Sequence, residues 1–309
     1  MQQKVSDEKF IDTWKRLKSP RAVANELGIT ERIAYSRRRT IEAKYGLNLA
    51  TNGPGLFIPD NKRRLEMGVE NGTAIVFSDA HYWPEDPSAA HTALVKLCKE
   101  LRPKLVVANG DVLDGARISR HDPLGWESTP SLRDELDVCD ERLSEVHAAS
   151  KGAVHVWTRG NHDARMDMYL IKNAPAVEGV AGTRLADHFP KWQHGMSLHL
   201  NGGSTVIKHR WHNGVHATYN NAVKAGVNIV TGHLHRLQVS AWGDYNGRRY
   251  GVDTGTLADP QGDQFAYLED NPTPWAQGFA VLTFEHGRLL PPELCEIIDG
   301  VAYFRGRRV

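Results

Sequence analysis

Five short polar segments, each placed directly after an apolar run, restrict the fold of this chain more than any other feature. The apolar runs are short, which favours β-strands, and helical patterns separate the first three of them. Strand, helix, strand alternation predicts βαβ units, whose ligand-binding side chains gather beyond the carboxyl ends of the strands. The segments are therefore expected to converge on one site, and in chain order they are Asp79-Ala80-His81, Asn109-Gly110-Asp111, Gly160-Asn161-His162-Asp163, His212-Asn213-Gly214 and Gly232-His233-Leu234-His235.

Asp, His and Asn side chains supply the donor atoms of these segments. Mixed carboxylate, imidazole and amide sites suit borderline and hard divalent ions, whereas thiolate-rich sites select soft metals or structural zinc. The three cysteines, Cys98, Cys139 and Cys295, are scattered and lack C-x-x-C spacing, so we expect buried free thiols in a reducing cytosol. The sequence therefore predicts a centre for two divalent metal ions.

The order D-x-H, G-D, G-N-H-[DE], H and G-H-x-H, found across residues 79–235, resembles the signature of the calcineurin-like metallophosphoesterases. The resemblance implies an α/β fold with two mixed β-sheets packed as a sandwich and flanked by helices. It also implies two divalent ions, with Mn expected first and Fe, Zn, Ni or Mg as alternatives. By the family pattern, Asp79, His81 and His235 hold one ion, and Asn161, His212 and His233 hold the other. Asp111 is the expected bridge, since two ions about 3.5–4 Å apart need a shared anionic ligand.

Two residues of the third segment are expected to act in catalysis. A water between the ions would lose a proton near neutral pH and attack phosphorus in line. His162, adjacent to Asn161, would serve the leaving-group oxygen as general acid or charge stabiliser. Asp163 would orient the His162 ring, as carboxylates beside functional histidines often do. Arg159 and Arg165 are candidates for clamping the phosphate, with solvated side chains as the alternative.

The fourth segment leaves two histidines open. The family usually shows His directly before Gly, whereas here Asn213 intervenes and His209 lies three residues upstream of His212. Strand alternation places Lys208, Arg210 and His212 on one face of the predicted strand and His209 on the other. We predict His212 as the ligand because it lies at the end of the strand predicted over residues 205–211.

The first fifty residues carry a net charge of +5, from eleven Lys and Arg against six Asp and Glu, whereas the remainder carries −4. Three helices are predicted here: from Asp7 to Leu17, from the N-cap Ser19 to Gly28, and from the N-cap Thr30 to Gly46. The last two have the pattern of a helix-turn-helix. The alternatives to DNA contact are a small three-helix cap whose Arg face is solvated, and a unit for protein docking or dimerisation. The residues expected to contact DNA are Arg32, Tyr35, Arg37, Arg38 and Arg39.

Pro and Gly in Asn52-Gly53-Pro54-Gly55 indicate a linker. The predicted domains are therefore a helix-turn-helix-like basic domain at 1–48, a linker at 49–66 and a catalytic domain at 67–309. Asn71-Gly72 is expected to form a type I′ hairpin leading into the first core strand. No apolar run approaches the roughly 20 residues of a membrane span, and the start lacks the apolar segment of a secretory signal. We expect a cytoplasmic protein without a membrane partner, and a homo-oligomer stays open.

Features outside the five segments suggest the substrate. Protein Ser/Thr phosphatases of this superfamily carry Arg in G-D-x-x-D-R-G and usually end the third motif in Glu, whereas this chain has Gly115 and Asp163 there. Both departures argue against protein dephosphorylation, and the basic helix-turn-helix favours a polynucleotide. We expect a phosphodiesterase that acts on DNA as a nuclease, similar to phage-encoded metallophosphoesterases, which would place it in the host cytoplasm. The alternatives are a phosphodiesterase of a small substrate such as a cyclic nucleotide, and a DNA-binding regulator on an idle metallophosphoesterase scaffold.

Overall fold

The computed structural model describes residues 5–17, 19–47, 49, 64–121 and 129–309. The chain divides into two compact units, Met1–Ile58 and Pro59–Val309. Most of the predicted linker at 49–66 lies outside the described residues.

Three helices form the described part of the N-terminal unit, and they begin and end where the sequence predicts: α1 (Asp7–Leu17), α2 (Pro20–Leu27) and α3 (Glu31–Tyr45). Ser19 and Thr30 cap α2 and α3, since each side-chain oxygen accepts a backbone N–H three residues on at 3.3 Å. Gly28 and Gly46 end these helices with φ of 62° and 63°, the left-handed conformation that glycine adopts without strain. The apolar stripe of α1 is buried, with Trp14 fully enclosed.

The second unit contains two β-sheets and the remaining helices. Its helices are α4 (Ala89–Leu101), α5 (Leu132–Ala149), α6 (Ala164–Asn173), α7 (Leu185–His188) and α8 (Ala217–Ala225). Short 3-10 segments cover Ala116–Ile118, Pro175–Val177, Asn201–Gly203 and Asp263–Leu268. The strands are β1 (Leu65–Met67), β2 (Gly72–Phe77), β3 (Leu105–Ala108), β4 (Val154–Thr158), β5 (Gln193–Gly195), β6 (Leu198–Leu200), β7 (Thr205–Ile207), β8 (Asn228–Thr231), β9 (Leu237–Asp244), β10 (Gly247–Thr254), β11 (Gly278–Glu285), β12 (Arg288–Leu289), β13 (Glu293–Ile298), β14 (Val301–Phe304) and β15 (Arg307–Arg308).

Both sheets are mixed. The larger sheet has the order β15-β14-β13-β11-β2-β3-β4-β5, with β12 beside β11, and its strands β2 to β5 run parallel. The smaller sheet has the order β1-β6-β7-β8-β10-β9, and β7, β8 and β10 run parallel within it. The parallel strands of each sheet point their carboxyl ends in one direction, which is the edge where sites form in such sheets.

Alternate residues of the central strands face opposite sides of the larger sheet. In β2, Ile75 and Phe77 join a core with α4 and α5, whereas Ala74 and Val76 join a second core with strands of the smaller sheet. Helix α8 packs on β8, β9 and β10. The predicted sandwich of two mixed sheets flanked by helices is therefore confirmed.

The predicted hairpin at Asn71-Gly72 is wrong. Strand β1 pairs with β6 of the smaller sheet, whereas β2 pairs with β3 and β11 of the larger sheet, so the turn connects two sheets. Strand β1 also begins at Leu65, two residues before the predicted start of the catalytic domain. Among the described residues, no helix combines the length and the apolar character needed to cross a membrane.

Candidate metal centre

The polar segments follow strands of both sheets and meet at the carboxyl ends of those strands. Three groups of donor atoms result, and within each group the ligand atoms lie within 4.8 Å of one another. Asp111 belongs to two of the groups, the position that the sequence predicts for a bridging carboxylate. The groups are Asp79, His81 and His235; His81, Asp111 and His162; and Asp111, His209 and His233.

Several donor atoms of this centre are buried and have no hydrogen-bond partner among the described residues. Buried polar atoms are normally paired, so such a concentration at one place points to a ligand that pairs them. The ring nitrogens that do have partners support this: His209 Nδ1 donates to the Asn109 carbonyl at 2.8 Å, which leaves its Nε2 as a ligand atom. The atoms without a hydrogen bond are Asp79 Oδ1, His81 Nε2, Asn161 Oδ1, His209 Nε2 and His235 Nδ1. Two of them still have an ion-pair contact within the centre, His209 Nε2 at 3.0 Å from Asp111 Oδ2 and Asp79 Oδ1 at 3.2 Å from His235 Nε2.

The electrostatics of the centre favour a cation. Burial opposes a charge on the His209 ring, but the carboxylates of Asp111 and Asp79 outweigh it and raise the pKa of His209 to about 10. The pKa of Asp111 lies well below its usual value, although burial alone would raise it, because His209 stabilises the carboxylate charge. Buried charges of one sign are tolerated when an opposite charge compensates them. A divalent ion fits this donor set both in charge and in ligand type.

The backbone of the candidate ligands is strained. Five of them have positive φ, a conformation that costs roughly 1–2 kcal/mol for a residue with a Cβ atom. Such strain persists only where the surrounding structure imposes it, and it concentrates at functional sites. The residues are Asp79 (52°), His81 (37°), Asp111 (50°), His233 (75°) and His235 (56°).

Two glycines of the polar segments make room for carboxylates from other segments. A Cβ atom on Gly160 would lie 2.0 Å from Asp111 Oδ1, and one on Gly232 would lie 2.6 Å from Asp79 Oδ2. Both distances are far inside van der Waals contact. The glycines of G-N-H-D and G-H-x-H are therefore required because another segment's carboxylate occupies the space of their side chains.

The family of the chain follows from a match over the same region. Residues 72–258, more than half of the chain, match the model of the calcineurin-like phosphoesterases. The chain belongs to this family. The calcineurin-like phosphoesterases are metal-dependent, and the Asp and His groups described above are suited to a dinuclear metal site.

Two solved structures that are similar to this phosphoesterase have low sequence identity to it. A Vps29 variant from Entamoeba histolytica is 14% identical with a TM-score of 0.40, and the match covers 77% of this chain and 98% of that chain. A protein assigned as a diadenosine tetraphosphatase is 12% identical with a TM-score of 0.36, and the match covers 77% of this chain and 99% of that chain. A comparison with curated proteins gave no match.

The donor groups of this phosphoesterase contain His209, three residues before the fourth segment, rather than His212. Strand β7 ends at Ile207, so His209 lies just beyond the strand, and its ring packs on Gly110, where a Cβ atom would lie 2.4 Å from Nδ1. His209 is 1% exposed, and its Nε2 lies 3.0 Å from Asp111 Oδ2. His212 instead stacks on Trp211 with ring centroids 4.6 Å apart, and no donor group found among the described residues includes it. The prediction that His212 lies among the donors is therefore wrong.

Asp163 makes its hydrogen bonds away from His162, so the prediction that it orients this ring is also wrong. Its fully buried carboxylate accepts five N–H groups at 2.8–3.2 Å, four from the backbone and one from Trp157 Nε1. The backbone donors are Asp111, Val112, Leu113 and Gly160. Asp163 therefore connects the loop after β3 to the loop after β4, and it positions Asp111 by accepting its backbone N–H.

Asp114 takes the orienting role. Its Oδ1 accepts hydrogen bonds from Nδ1 of His81 at 2.8 Å and from Nδ1 of His162 at 3.0 Å. This leaves Nε2 of His81 available to the centre, the usual arrangement of a carboxylate behind a metal-binding histidine, whereas Nε2 of His162 accepts from Arg165 Nη2 at 3.2 Å. Burial opposes a charge on His162, but Asp114 and Asp111 outweigh it and the pKa of His162 is raised. The second Asp of G-D-x-x-D was the sequence signal for this residue.

The two candidate phosphate clamps differ. Arg159 is buried and pairs with Asp167, so its guanidinium is occupied within the protein. Arg165 donates to the Asp114 carbonyl at 2.8 Å, and its Nη2 lies 3.2 Å from His162 Nε2. Arg165 is therefore the arginine placed beside the predicted general acid.

The predicted DNA-contacting residues of α3 fall into two sets. Arg37 donates to Asp7 at 3.1 Å and lies 5.2 Å over the Phe10 ring, and Arg38 donates to Glu42 at 3.0 Å. Arg38 also lies 5.5 Å over the Trp14 ring, so both arginines connect α3 to α1. Exposed side chains, open to a partner, are Arg32, Tyr35 and Arg39.

Proposed function

We propose that this phosphoesterase hydrolyses phosphodiester bonds in DNA with two divalent ions and with His162 as general acid. The observation that carries the reaction class is the placement of His162 in one donor group with His81 and Asp111. Its backbone N–H donates to Asp111 Oδ1 at 2.7 Å, and its ring centroid lies 4.6 Å from that of His81. The acid is thus fixed against the centre.

The residues of the chain divide the chemistry between them. Two divalent ions, when bound by Asp79, His81, His235, Asp111, Asn161, His209 and His233, supply Lewis-acid polarisation of the phosphate and acidify water. Asp114 holds the Nδ1 proton of His162, so the proton for the leaving oxygen is one taken up at Nε2 once Arg165, which donates to Nε2 at 3.2 Å, turns to the phosphate. Arg165, beside Nε2, compensates negative charge that develops on the phosphate.

An exposed basic and aromatic segment beside the centre supports a polynucleotide substrate. Arg210 and Trp211 follow His209 directly and are exposed, and His212 stacks on Trp211. Arg236, which follows His235, donates to the carbonyls of residues 214 and 215 at 3.0 and 3.1 Å and so holds this loop beside the centre. Cationic groups that track a backbone, combined with aromatic rings that stack on bases, are typical of single-stranded nucleic-acid grooves.

The N-terminal unit supplies a second basic surface in this proposal. Arg32, Tyr35 and Arg39 are exposed on α3, the second helix of the helix-turn-helix pattern. Arginines on such a helix bind phosphates and base edges. We infer that this unit raises the affinity for DNA without taking part in the chemistry.

Purified protein with Mn²⁺ should be assayed against duplex DNA, single-stranded DNA, bis-p-nitrophenyl phosphate and p-nitrophenyl phosphate. Cleavage of DNA and of the diester, with little monoester activity, is expected, and Asp111→Asn should abolish it. Diester cleavage without DNA cleavage would favour a small substrate such as a cyclic nucleotide. DNA binding without hydrolysis of any ester would contradict the enzyme and favour the regulator.

The general-acid role of His162 has its own test. His162→Gln should slow DNA cleavage far more than cleavage of p-nitrophenyl esters, because a good leaving group needs little protonation. Equal losses on both substrates, with unchanged metal content, would remove His162 from this role.

A further inference from the structure

A cluster of aromatic rings lines the His81 and His235 side of the metal centre. Phe265 is buried, and its ring centroid lies 5.3 Å from His81 and 5.6 Å from His235. Trp275 lies 4.2 Å from His235 and 4.9 Å from Phe265 by the same measure. These rings contact the candidate ligands from outside the five polar segments, and they have no role in the metal centre described above.

Tyr267 extends this cluster to the protein surface. Its ring lies 6.3 Å from Phe265, and 51% of the residue is exposed. Burial of the phenol end raises the pKa of Tyr267 to about 12, and the nearby Asp114 carboxylate adds to the effect while Arg165 opposes it. Through Phe265 the Tyr267 ring is linked to His81, whose ring packs on that of His162, while a large part of the Tyr267 ring stays open to solvent.

The backbone around Trp275 is fixed to the centre. The Ala276 N–H donates to the His235 carbonyl at 2.8 Å. The Thr256 N–H donates to the Ala276 carbonyl at 3.1 Å, and the Gly278 N–H donates to the Thr256 carbonyl at 2.9 Å. A ring held in this way loses little conformational entropy when a ligand stacks on it. The half-buried Trp275 is thus pre-organised for a flat ligand.

Charge around the cluster favours an uncharged ring over a further phosphate. Asp263, in the same 3-10 segment as Tyr267, is exposed, and so are Glu269 and Asp270 just after it. Asp263 and Asp259 also lie close enough to Glu85 to raise the pKa of that carboxyl, after the larger effect of burial. Carboxylates repel a continuing phosphate backbone but leave a neutral base unaffected.

We propose, resting on the phosphodiesterase function above, that Tyr267 and Trp275 form a platform that stacks the nucleobase on the leaving-group side of the scissile phosphate. The leaving group lies on this side because the aromatic cluster packs on His81, and the His81 ring lies 4.6 Å from the ring of His162, the proposed general acid. The preferred substrate class is then a nucleotide diester whose leaving group is a nucleoside at a strand end, where no further phosphate meets the acidic residues.

The kinetic test uses substrates that differ by one base. Thymidylyl-thymidine carries a nucleoside on both sides of the phosphate, whereas the 3′- and 5′-methyl esters of thymidine phosphate each lack one. Tyr267→Ala should raise KM for thymidylyl-thymidine about tenfold, the usual loss for one base–aromatic stack. It should leave KM unchanged for the methyl ester that lacks the leaving-group nucleoside, because this substrate has no base to stack on Tyr267. Tyr267→Phe should behave as wild type, because the ring is retained.

Tyr245→Ala is the matched control, since Tyr245 is fully exposed at the far end of the β9–β10 hairpin, a strand's length from His235. A tenfold KM increase in Tyr267→Ala with every substrate, or a Tyr267→Phe variant as defective as Tyr267→Ala, would overturn the platform.

A binding measurement separates the platform from the catalytic function. Calorimetry in the presence of Mg²⁺ should show that wild type binds thymidine 5′-monophosphate about tenfold more tightly than inorganic phosphate. Tyr267→Ala should bind both equally. If no diester is turned over but this difference in affinity appears, the phosphodiesterase function fails and the platform stands. If diesters are cleaved but wild type binds both ligands equally, the platform fails alone.

Discussion

Removal of the Asp114 carboxylate should weaken metal binding although Asp114 is not itself a candidate ligand. Its Oδ1 accepts the Nδ1 hydrogens of His81 at 2.8 Å and of His162 at 3.0 Å. His81 then has only its Nε2 for the metal, in a fixed tautomer. Without Asp114 the ring is free to adopt the other tautomer or to rotate, and both changes remove a ligand atom from the centre.

The magnitude follows from the kind of bond that is lost. Loss of a partner behind a metal ligand typically lowers metal affinity about 10–100-fold. Hydrogen bonds to a charged acceptor are roughly twice as strong as neutral ones. Asp114→Asn keeps an acceptor but removes its charge, so we expect a loss of about tenfold, whereas Asp114→Ala removes the acceptor and should approach about 100-fold.

Chelator competition with Mn²⁺ measures these affinities directly. The control is Asp137→Asn, which changes a carboxylate exposed on α5. Circular dichroism should show an unchanged fold for all three variants. Wild-type Mn²⁺ affinity in Asp114→Ala, or an identical loss in the Asp137 control, would refute the orienting role.

Three further outcomes follow from the structure. Asp163→Asn should lower the free energy of unfolding, measured by denaturant titration, by roughly 2–6 kcal/mol. The reason is that an amide leaves at least two of the five buried N–H donors unpaired, at about 1–3 kcal/mol each. A change below the error of the titration would contradict this. Gly160→Ala should deplete bound metal, measured by elemental analysis, because its Cβ would lie 2.0 Å from Asp111 Oδ1; full metal content would refute the steric argument. Replacing Arg32 and Arg39 together by Ala should weaken DNA binding and reduce its salt slope by about 2, with an unchanged slope as the contrary result.

The sequence predicted the fold and most of the centre because both depend on local patterns. Apolar runs of strand length, helix caps such as Ser19 and terminating glycines such as Gly28 are local signals, and the structure places them as expected. The connection at Asn71-Gly72 was predicted wrongly because turn chemistry is local, whereas the choice of partner strand depends on the whole sheet.

The two incorrect predictions about residues of the metal centre have a common cause. The sequence favours His212 over His209 only if the strand runs four residues beyond Ile207, and strand ends are poorly marked in sequence. Adjacency along the chain favours Asp163 for the role that Asp114 holds, but adjacent residues need not be in contact. The aromatic residues Phe265, Tyr267 and Trp275 carry no motif, and only the folded chain brings them to His235.

The metal content of two histidine variants tests the central claim, a dinuclear centre completed by His209, most directly. Protein reconstituted with excess Mn²⁺, desalted and measured by elemental analysis should contain two ions per chain in wild type. His209→Ala should lose one of them, because its Nε2 lies 3.0 Å from Asp111 Oδ2 in the group shared with His233. His212→Ala should keep both. Two ions in His209→Ala together with a loss in His212→Ala, or fewer than two ions in wild type, would contradict the account.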